Sequence, residues 1–401
     1  MVSNSQDGGN AGAVDGASNV TPPYAVDGVV FEDKQPGPKT HVLIIGVGHY
    51  PFFRDGGPKK DDNAPLGQLT SSTVSARILA HWFLNEYRYP PAPLGSLAVL
   101  SADPTDVPFE CNPGSWLLPT PTYSAFAEAA QVWHGRGNSD EANRLVFLFC
   151  GHGFGYGALT SLLMSDFDFR KQDAWDSALD LGKFVAGMET CAAAEQIYFI
   201  DACRRPHGDL LPPGAAIGRS PIHAKALPRK DFSTACNAPL IFSTGDDEPA
   251  RGRTDGASVF ADAFMKSVRG MAARDDHGDW RINNYSLLEA MSHVSLRLTQ
   301  QHFPDPQQPQ GGQARAFDFH YLQDDPISPI YLDRNGHACG PGELHYEVDG
   351  HLTVRPCEAH EYEVEISLPY GGYTFTLKDG NTELARAKQR AAPTFKRARL
   401  V

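Results

Sequence analysis

Short apolar runs, each ended by glycine or by a polar turn, recur along the first 325 residues of the chain. Apolar runs of this length, bounded in this way, are typical of buried parallel strands. Five strong runs lie at residues 41–47, 97–100, 145–150, 196–200 and 239–244, and a weaker sixth lies at 316–322, while a separate short strand is predicted at 29–31 in the N-terminal segment. The pattern predicts a mostly parallel, six-stranded sheet.

Stretches with helical spacing of apolar residues separate these runs. In residues 71–87, Val74 and Trp82 share one face of a predicted helix, which Ser71 or Ser72 can cap. Further helices are predicted at residues 123–133, 178–194, 258–271 and 286–302. Strands that alternate with helices indicate an α/β fold with right-handed crossover connections.

The pattern changes near residue 326. Apolar and polar residues then alternate at 343–355, 360–368 and 373–378, with Asp-Gly turn signals at 349–350 and 379–380. This pattern predicts a small antiparallel β domain with the form of a sandwich. The predicted organisation is a flexible segment at 1–39, rich in Gly, Ser and Asn, an α/β domain at 40–325, and the β domain at 326–401.

Composition narrows the classes of function. The 401 residues are 41% hydrophobic and 21% charged, which is ordinary for a globular protein. A formal net charge of −13 repels phosphate, so it argues against a nucleic-acid partner and suits a peptide that carries Lys or Arg. No apolar run approaches the ~18 residues that span a membrane, so we expect no membrane partner. The N-terminus also lacks the features of a signal peptide.

The seven cysteines are scattered, at positions 111, 150, 191, 203, 236, 339 and 357. This spacing matches neither a disulfide framework nor a zinc motif. We therefore expect a reduced, cytoplasmic protein with no cofactor and no metal site. Asp61 and Asp62 are oxygen donors that could bind calcium, but no ligand spacing indicates it.

Two neighbouring runs end in reactive side chains. One leads into Gly151-His152-Gly153, and the next leads into Asp201-Ala202-Cys203. The ends of parallel strands meet at one sheet edge, so we expect His152 and Cys203 side by side although 51 positions separate them. Imidazole can take the proton of a thiol, and thiolate is a nucleophile. For each motif alone, an ordinary tight turn or a buried inert cysteine is the alternative.

Together the two motifs resemble those of the caspase-like cysteine peptidases, which include caspases, metacaspases and bacterial CHAT proteases. A known signature of this kind has an Ala-Cys-Arg core, with the histidine about 50 residues upstream. The similarity extends to HVLIIGVG at 41–48, FSTGDDEPA at 242–250 and DGASVFADAFM at 255–265. The resemblance covers residues 40–322 and implies a caspase-like αβα sandwich, with His152 as general base and Cys203 as nucleophile.

The resemblance also implies where substrate binds. The backbone amides of Gly153 and Cys203 would form the oxyanion hole. Asp201, where metacaspases also have Asp, would line a pocket for Arg or Lys at P1, the residue just before the scissile bond. Asp246 and Asp247 would add to this pocket, with a solvated turn as the alternative for both.

Two departures from the family bear on specificity. Metacaspases have a second acidic residue near the first helix, where this chain has Ser75. Arg54, in the loop after the first strand, is instead similar to the arginine of caspases that prefer an acidic P1 residue. We favour a basic P1 residue because Asp201 is the charge nearest the nucleophile, and acidic P1 is the alternative.

Residues 204–237 form a long segment with Pro, Gly and the basic residues Arg219, Lys225, Arg229 and Lys230. In the family this segment is often cut during activation, and exposed loops are natural protease sites, so we expect a zymogen that is cleaved by itself or by another protease. The predicted function is a cysteine endopeptidase acting on protein or peptide substrates, with bacterial defence or regulated cell death as the setting by resemblance. The alternatives are a catalytically silent scaffold with this fold and a hydrolase or transpeptidase that acts on another acyl substrate.

Overall fold

The computed structural model places most of the chain. It describes residues 22–103, 107–112, 114–156, 159–204, 218–224, 236–245, 250, 252–253, 256–300, 303–312, 314–336 and 342–401. The predictions for residues 1–21, Asp246, Asp247 and the basic residues at 225–230 fall outside the described residues. Residues 22–39, expected to be flexible, include a 3₁₀ turn at Val26–Gly28 and a strand at Val29–Glu32.

The described residues contain both regular helices and single helical turns. The α-helices are α1 (Thr70–Asn85), α2 (Tyr123–Gly137), α3 (Leu181–Met188), α4 (Val259–Lys266) and α5 (Asn284–Thr299). A 3₁₀ turn lies at Ala174–Ser177, and a π-helical turn at Ser267–Met271 continues α4. No helix in this part of the chain is both long and apolar enough to cross a membrane.

Fifteen strands precede residue 326 in the described chain. They are β1 (Val29–Glu32), β2 (Thr40–Val47), β3 (Leu94–Ala102), β4 (Phe109–Cys111), β5 (Gly114–Trp116), β6 (Arg144–Cys150), β7 (Gly153–Tyr156), β8 (Leu159–Leu163), β9 (Ala178–Asp180), β10 (Glu195–Asp201), β11 (Leu240–Phe242), β12 (Arg274–Asp276), β13 (Asp279–Asn283), β14 (Gln310–Gly311) and β15 (Asp318–Tyr321).

The central sheet has seven described strands in the order β1-β3-β2-β6-β10-β11-β14. The five inner strands are parallel, and the edge strands β1 and β14 are antiparallel to their neighbours. The prediction of six strands was therefore wrong in number. The run at 316–322 was also misplaced, because β15 pairs with β13 in a separate three-stranded sheet.

Both faces of the central sheet are buried. Along β2, Val42 and Ile44 belong to a hydrophobic cluster with α1, α4 and α5, whereas Leu43 and Ile45 belong to a second cluster with α2 and α3. Successive side chains of a strand point to opposite faces, so an unbroken apolar run is what a sheet covered on both sides requires. The result is a three-layer αβα arrangement.

Three predicted helices differ in detail from those observed. The predicted helix at 178–194 is β9 followed by α3, and the Asp180 side chain caps α3 by accepting a hydrogen bond from the Lys183 amide. The predicted helix at 258–271 has its predicted length, but it consists of α4 followed by the π-helical turn. The expected serine cap of α1 was wrong, because α1 begins at Thr70 after Leu69, which makes no side-chain cap.

The C-terminal residues form two further sheets. Their strands are β16 (Ile327–Asp333), β17 (Gly342–Val348), β18 (His351–Cys357), β19 (Glu363–Pro369), β20 (Gly371–Asp379), β21 (Thr382–Ala391) and β22 (Lys396–Arg399). The sheets β19-β16-β22 and β18-β17-β20-β21 enclose their own hydrophobic cluster. Pairing is mostly antiparallel, although β16 and β22 are parallel. The Asp349-Gly350 turn has positive φ at both residues, the geometry of a tight hairpin.

These sheets pack on α5. Arg297 lies 2.6 Å from the Glu363 carboxylate and stacks on the Tyr331 ring at 3.8 Å. One turn earlier, His293 stacks on Phe395 with ring centroids 3.8 Å apart. The contacts join α5 to strands or loops of the C-terminal sheets at two successive helical turns.

Candidate active site

The sheet register sets the relative positions of His152 and Cys203. Strands β6 and β10 are parallel neighbours, and their last paired residues are Cys150 and Asp201. His152 and Cys203 each follow two positions later, so the two chains leave the same edge of the sheet at matching positions. A β-carbon added to Gly153 would lie 3.2 Å from the carbonyl oxygen of Cys203. The two turns are therefore in van der Waals contact.

The imidazole of His152 is held from one side. Its Nε2 lies 2.8 Å from the carbonyl oxygen of Gly67, and a carbonyl can only accept, so Nε2 carries the proton. Nδ1 then has the lone pair. Tyr50 and Phe53 contact the ring, at centroid distances of 4.9 and 5.8 Å. Burial lowers the pKa of His152 to about 4, although the hydrogen bond to Gly67 acts in the opposite direction. The ring is neutral at pH 7 and can accept a proton.

Tyr50 also fixes the backbone at this turn. Its hydroxyl accepts a hydrogen bond of 2.9 Å from the His152 amide and donates one of 3.3 Å to the Leu163 carbonyl. The Leu163 amide donates to the His152 carbonyl at 2.9 Å. Bonded and non-bonded pairs alternate along an antiparallel ladder, so the next pair, Gly153 with Leu162, is a non-bonded one. The Gly153 amide therefore points away from β8.

The sulfur of Cys203 contacts the backbone of Ala250. The Ala250 amide donates to Sγ at 3.3 Å, and the Ala250 carbonyl oxygen lies 4.0 Å from Sγ. Nearby, the hydroxyl of Thr70 donates to the Arg253 carbonyl at 3.2 Å, so this segment also rests on the start of α1. Cys203 remains partly exposed, whereas Cys150 and Cys191 are each 2% exposed.

Asp201 lies on the α1 and α4 side of the sheet, and the residue is 7% exposed. The hydroxyl of Ser258 donates to its Oδ2 at 2.5 Å, whereas that of Ser243 donates to the neighbouring Ala202 carbonyl at 3.3 Å. Burial raises the pKa of Asp201 to about 6, and the Ser258 and Ser243 side chains oppose that rise. No charged side chain in the described part of the chain contributes to this pKa. The carboxylate is therefore buried without a counter-ion among those residues.

Ser75 belongs to the same group of hydrogen-bonded side chains. Its Oγ accepts the Ser258 amide at 3.0 Å and lies 3.2 Å from the Ser258 hydroxyl. It is fully buried. The structure thus brings Ser75 and Asp201 together through Ser258, which the sequence analysis did not single out.

Arg54 is on the surface of the loop that precedes α1. Its guanidinium lies 3.4 Å from the Pro65 carbonyl, and its backbone amide donates to the Leu66 carbonyl at 3.2 Å. The side chain is exposed and lies on the same loop as Gly67. Asp61 accepts the Asn63 amide, and Asp62 pairs with Lys60 at 2.8 Å. In the described residues, no group of three His, Cys, Asp or Glu side chains could hold a metal ion.

Part of the long segment after Cys203 is docked on the protein. Arg219 exchanges backbone hydrogen bonds with β9, to the Ala178 carbonyl and from the Asp180 amide, each 2.9 Å long. Its side chain donates to the Asp176 carbonyl at 2.9 Å and stacks on the Tyr123 ring at 4.3 Å. Both the backbone and the guanidinium group of Arg219 are therefore bound to the rest of the protein. A peptide bond held in this way is not freely accessible to a protease.

Four residues near the site escaped the sequence analysis: Tyr50, Gly67, Ser243 and Ser258. Gly67 acts through a carbonyl that every residue has, so no sequence signal could have revealed it. Ser258 did carry a signal, because a serine directly before an apolar helical run is a typical N-cap. Its hydroxyl accepts the Ala261 amide, as a cap does, and then also donates to Asp201.

Comparisons with known proteins add little detail. No protein-family model matches the sequence, and no curated protein matches it. Among solved structures, the chain is similar to a caspase-1 from Spodoptera frugiperda, with a TM-score of 0.43 and 14% sequence identity. That alignment covers 75% of this chain and 97% of the caspase chain.

Proposed function

We propose that this protein is a cysteine endopeptidase in which Cys203 is the nucleophile and His152 the general base. The observation that carries the proposal is the matched position of the two residues beyond β6 and β10, with Gly153 against the Cys203 carbonyl. The Nε2 proton of His152 is held by Gly67, so the lone pair on Nδ1 is available for the thiol proton. The thiolate then attacks the peptide carbonyl, the C–N bond breaks, and the amine leaves with the proton that His152 took from the thiol. Water, deprotonated by His152, hydrolyses the resulting acyl-enzyme and releases the thiol.

The Gly153 amide is the proposed oxyanion donor, together with the amide of Cys203. Its N–H is not used in the ladder with β8, because Gly153 and Leu162 form a non-bonded pair. A fixed amide dipole at this position stabilises the negative oxygen of the tetrahedral intermediate without having to reorganise.

Specificity for Arg or Lys at P1 is assigned to Asp201. A buried carboxylate without a counter-ion has lost hydration, so an incoming guanidinium or ammonium group supplies a strong, charge-assisted partner. The chain's net charge of −13 also favours basic substrates over long distances. Asp246 and Asp247 remain candidates for the same pocket, and acidic P1 through Arg54 remains the alternative.

Activation by cleavage within residues 204–237 is part of the proposal. Because Arg219 is bound to β9 and Tyr123, the cut is placed after Lys225, Arg229 or Lys230. The contact between the Ala250 backbone and Sγ of Cys203 is a second reason to expect that activity is regulated. A substrate carbonyl that approached the sulfur from this side would have to displace Ala250.

The test is a panel of fluorogenic peptides with Arg, Lys, Asp or Leu at P1, assayed with and without calcium. Intact and proteolytically nicked protein are compared, with Cys203→Ala as the control in each state. Cleavage after Arg and Lys that Cys203→Ala abolishes is the expected result. Cleavage only after Asp would reassign the pocket to Arg54, and no cleavage under any condition would favour the silent scaffold.

Alkylation provides a readout that does not need a substrate. Iodoacetamide should modify Cys203 faster than Cys150 or Cys191, which are buried. His152→Ala should slow that reaction, because the base that removes the thiol proton is gone. Equal rates in the two proteins would argue against the dyad whatever the peptide specificity.

A further inference from the structure

A chain of three buried side chains, Ser75, Ser258 and Asp201, links α1, α4 and β10. Their exposures are 0%, 4% and 7%, so bulk water does not compete with these hydrogen bonds. The proposed function assigns Asp201 to P1 binding, but it gives no role to the two serines.

The direction of the hydrogen bonds in this chain follows from the ionised carboxylate of Asp201, which can only accept. The Ser258 hydroxyl oxygen accepts from the Ala261 amide at 3.1 Å, and the Ser75 hydroxyl oxygen accepts from the Ser258 amide at 3.0 Å. While Asp201 is ionised, the single proton of Ser258 therefore points to its Oδ2 at 2.5 Å, and the Ser75 hydroxyl donates to Ser258 at 3.2 Å. The two hydroxyls are thus aligned to stabilise the charged form of the carboxyl group.

Both amides lie at the N-terminus of α4, where the helix dipole is positive. The two hydroxyls connect that positive end to the carboxylate. At the position of Ser75 on α1 a carboxylate would repel Asp201, whereas the Ser75 hydroxyl helps to stabilise its negative charge through Ser258.

We propose that Ser258, assisted by Ser75, is a positioning residue that keeps Asp201 ionised and oriented, so that one carboxylate can bind the P1 Arg or Lys of the substrate. The proposal rests on the proposed function. The Ser258 hydroxyl stabilises the ionised carboxylate of Asp201, and burial destabilises it. Without this hydroxyl the pKa of Asp201 rises, so the carboxyl group is protonated at a higher pH. Binding of a basic P1 side chain then weakens near neutral pH, while the Cys203 chemistry is left alone.

The groups that face Asp201 are neutral at pH 7, so Asp201 is the group among them that titrates near neutral pH. From β6 it is faced by the Cys150 thiol, whose pKa is raised by burial and by the Asp201 charge. From α1, α4 and the end of β11 it is faced by the hydroxyls of Ser75, Ser258 and Ser243. Within the described chain, none of these partners carries a charge at pH 7.

The experiment measures kcat and KM from pH 5 to 9 with peptides that have Arg or Leu at P1. For Ser258→Ala we expect a one-unit shift to raise KM for the Arg peptide about threefold near pH 6.5 and close to tenfold at pH 5, with recovery by about pH 8.5. The kcat value should change little. Ser258→Thr keeps the hydroxyl and should restore the wild-type profile, and Ser75→Ala should shift it in the same direction but less.

Thr122→Ala is the matched control. The Thr122 hydroxyl caps α2 by accepting from the Ala125 amide, as Ser258 caps α4, but it does not contact Asp201. This variant should lose stability without moving the pH profile. If Ser258→Ala behaves like Thr122→Ala, Ser258 is only a helix cap and the inference is wrong.

A second measurement separates this inference from the proposed function. The pH dependence of unfolding is compared for the wild type and Asp201→Asn, then for Ser258→Ala and its double variant with Asp201→Asn. The part of the pH dependence of unfolding that is due to Asp201 should move to higher pH in Ser258→Ala. This result does not depend on whether any peptide is cleaved. An unmoved contribution overturns the inference, whereas failure to cleave basic peptides overturns only the proposed function.

Discussion

Nε2 of His152 lies 2.8 Å from the carbonyl oxygen of Gly67. This hydrogen bond determines which ring nitrogen is protonated and leaves Nδ1 as the basic atom. It also orients a ring that Tyr50 and Phe53 contact, so the imidazole is pre-organised before substrate arrives.

The first prediction concerns the state of His152. ¹⁵N chemical shifts, assigned by comparison with His152→Gln, should show a neutral Nε2–H tautomer at pH 7 and protonation near pH 4, because burial opposes the charged ring. Titration near 6.5, or a proton on Nδ1, would contradict the arrangement described for the base.

The lowered pKa also has a consequence for stability. Between pH 6.5 and about 4 the unfolded chain binds a proton at this histidine and the folded chain does not, so stability is lost as pH falls through this window. His152→Gln should remove that part of the pH dependence, of the order of 3 kcal/mol at its maximum. Urea unfolding at several pH values measures the difference.

Gly153→Ala should disrupt the contact between the two turns. The added β-carbon would lie 2.9 Å from the Ala202 β-carbon and 3.2 Å from the Cys203 carbonyl oxygen, so the strands must move apart. Loss of an aligned oxyanion donor typically lowers kcat by about 10²–10³. Gly135→Ala, in α2 with open space around its α-carbon, is the control and should be fully active. Comparable kcat values for the two variants would argue against Gly153 as an oxyanion donor.

Limited trypsin digestion tests the docking of Arg219. Since its backbone is paired with β9 and its guanidinium stacks on Tyr123, we expect no early cut after Arg219, and cuts after Lys225, Arg229 or Lys230 instead. Arg219→Lys preserves a trypsin site but loses much of the stacking and the forked hydrogen bonding, so cleavage at this position should become faster. Mass spectrometry of early fragments gives the answer, and early cleavage after Arg219 in the wild type would show that the segment is not docked.

A double-mutant cycle on Arg297 and Glu363 tests the contact between α5 and the C-terminal sheets. The pair is 2.6 Å apart, and the Arg297 side chain is 17% exposed while that of Glu363 is 35% exposed. For a partly screened pair we expect a coupling of about 0.5–1 kcal/mol in unfolding experiments. Arg399 and Asp333, a more exposed pair, provide the comparison and should couple less strongly. A coupling near zero for the first pair would show that this ion pair does not stabilise the contact.

The sequence by itself determined most of the α/β core. Apolar runs such as 41–47 and 145–150 must be buried on both faces, so a covered parallel sheet follows from their composition alone. It also determined that reactive side chains follow β6 and β10, because strand ends are marked by Gly and polar residues. The number of strands did not follow, since β14 has two residues and pairs only because α5 and its loop bring it to β11.

The tertiary structure decided the surroundings of those side chains. The carbonyl of Gly67, the hydroxyl of Tyr50 and the amide of Ala250 approach the site from distant positions, and their chemistry is common to many residues. Likewise, Ser75 and Ser258 are 183 positions apart, and only the packing of α1 against α4 brings them together on Asp201. Local patterns specify which elements form, whereas the partner of a buried polar group depends on which elements meet.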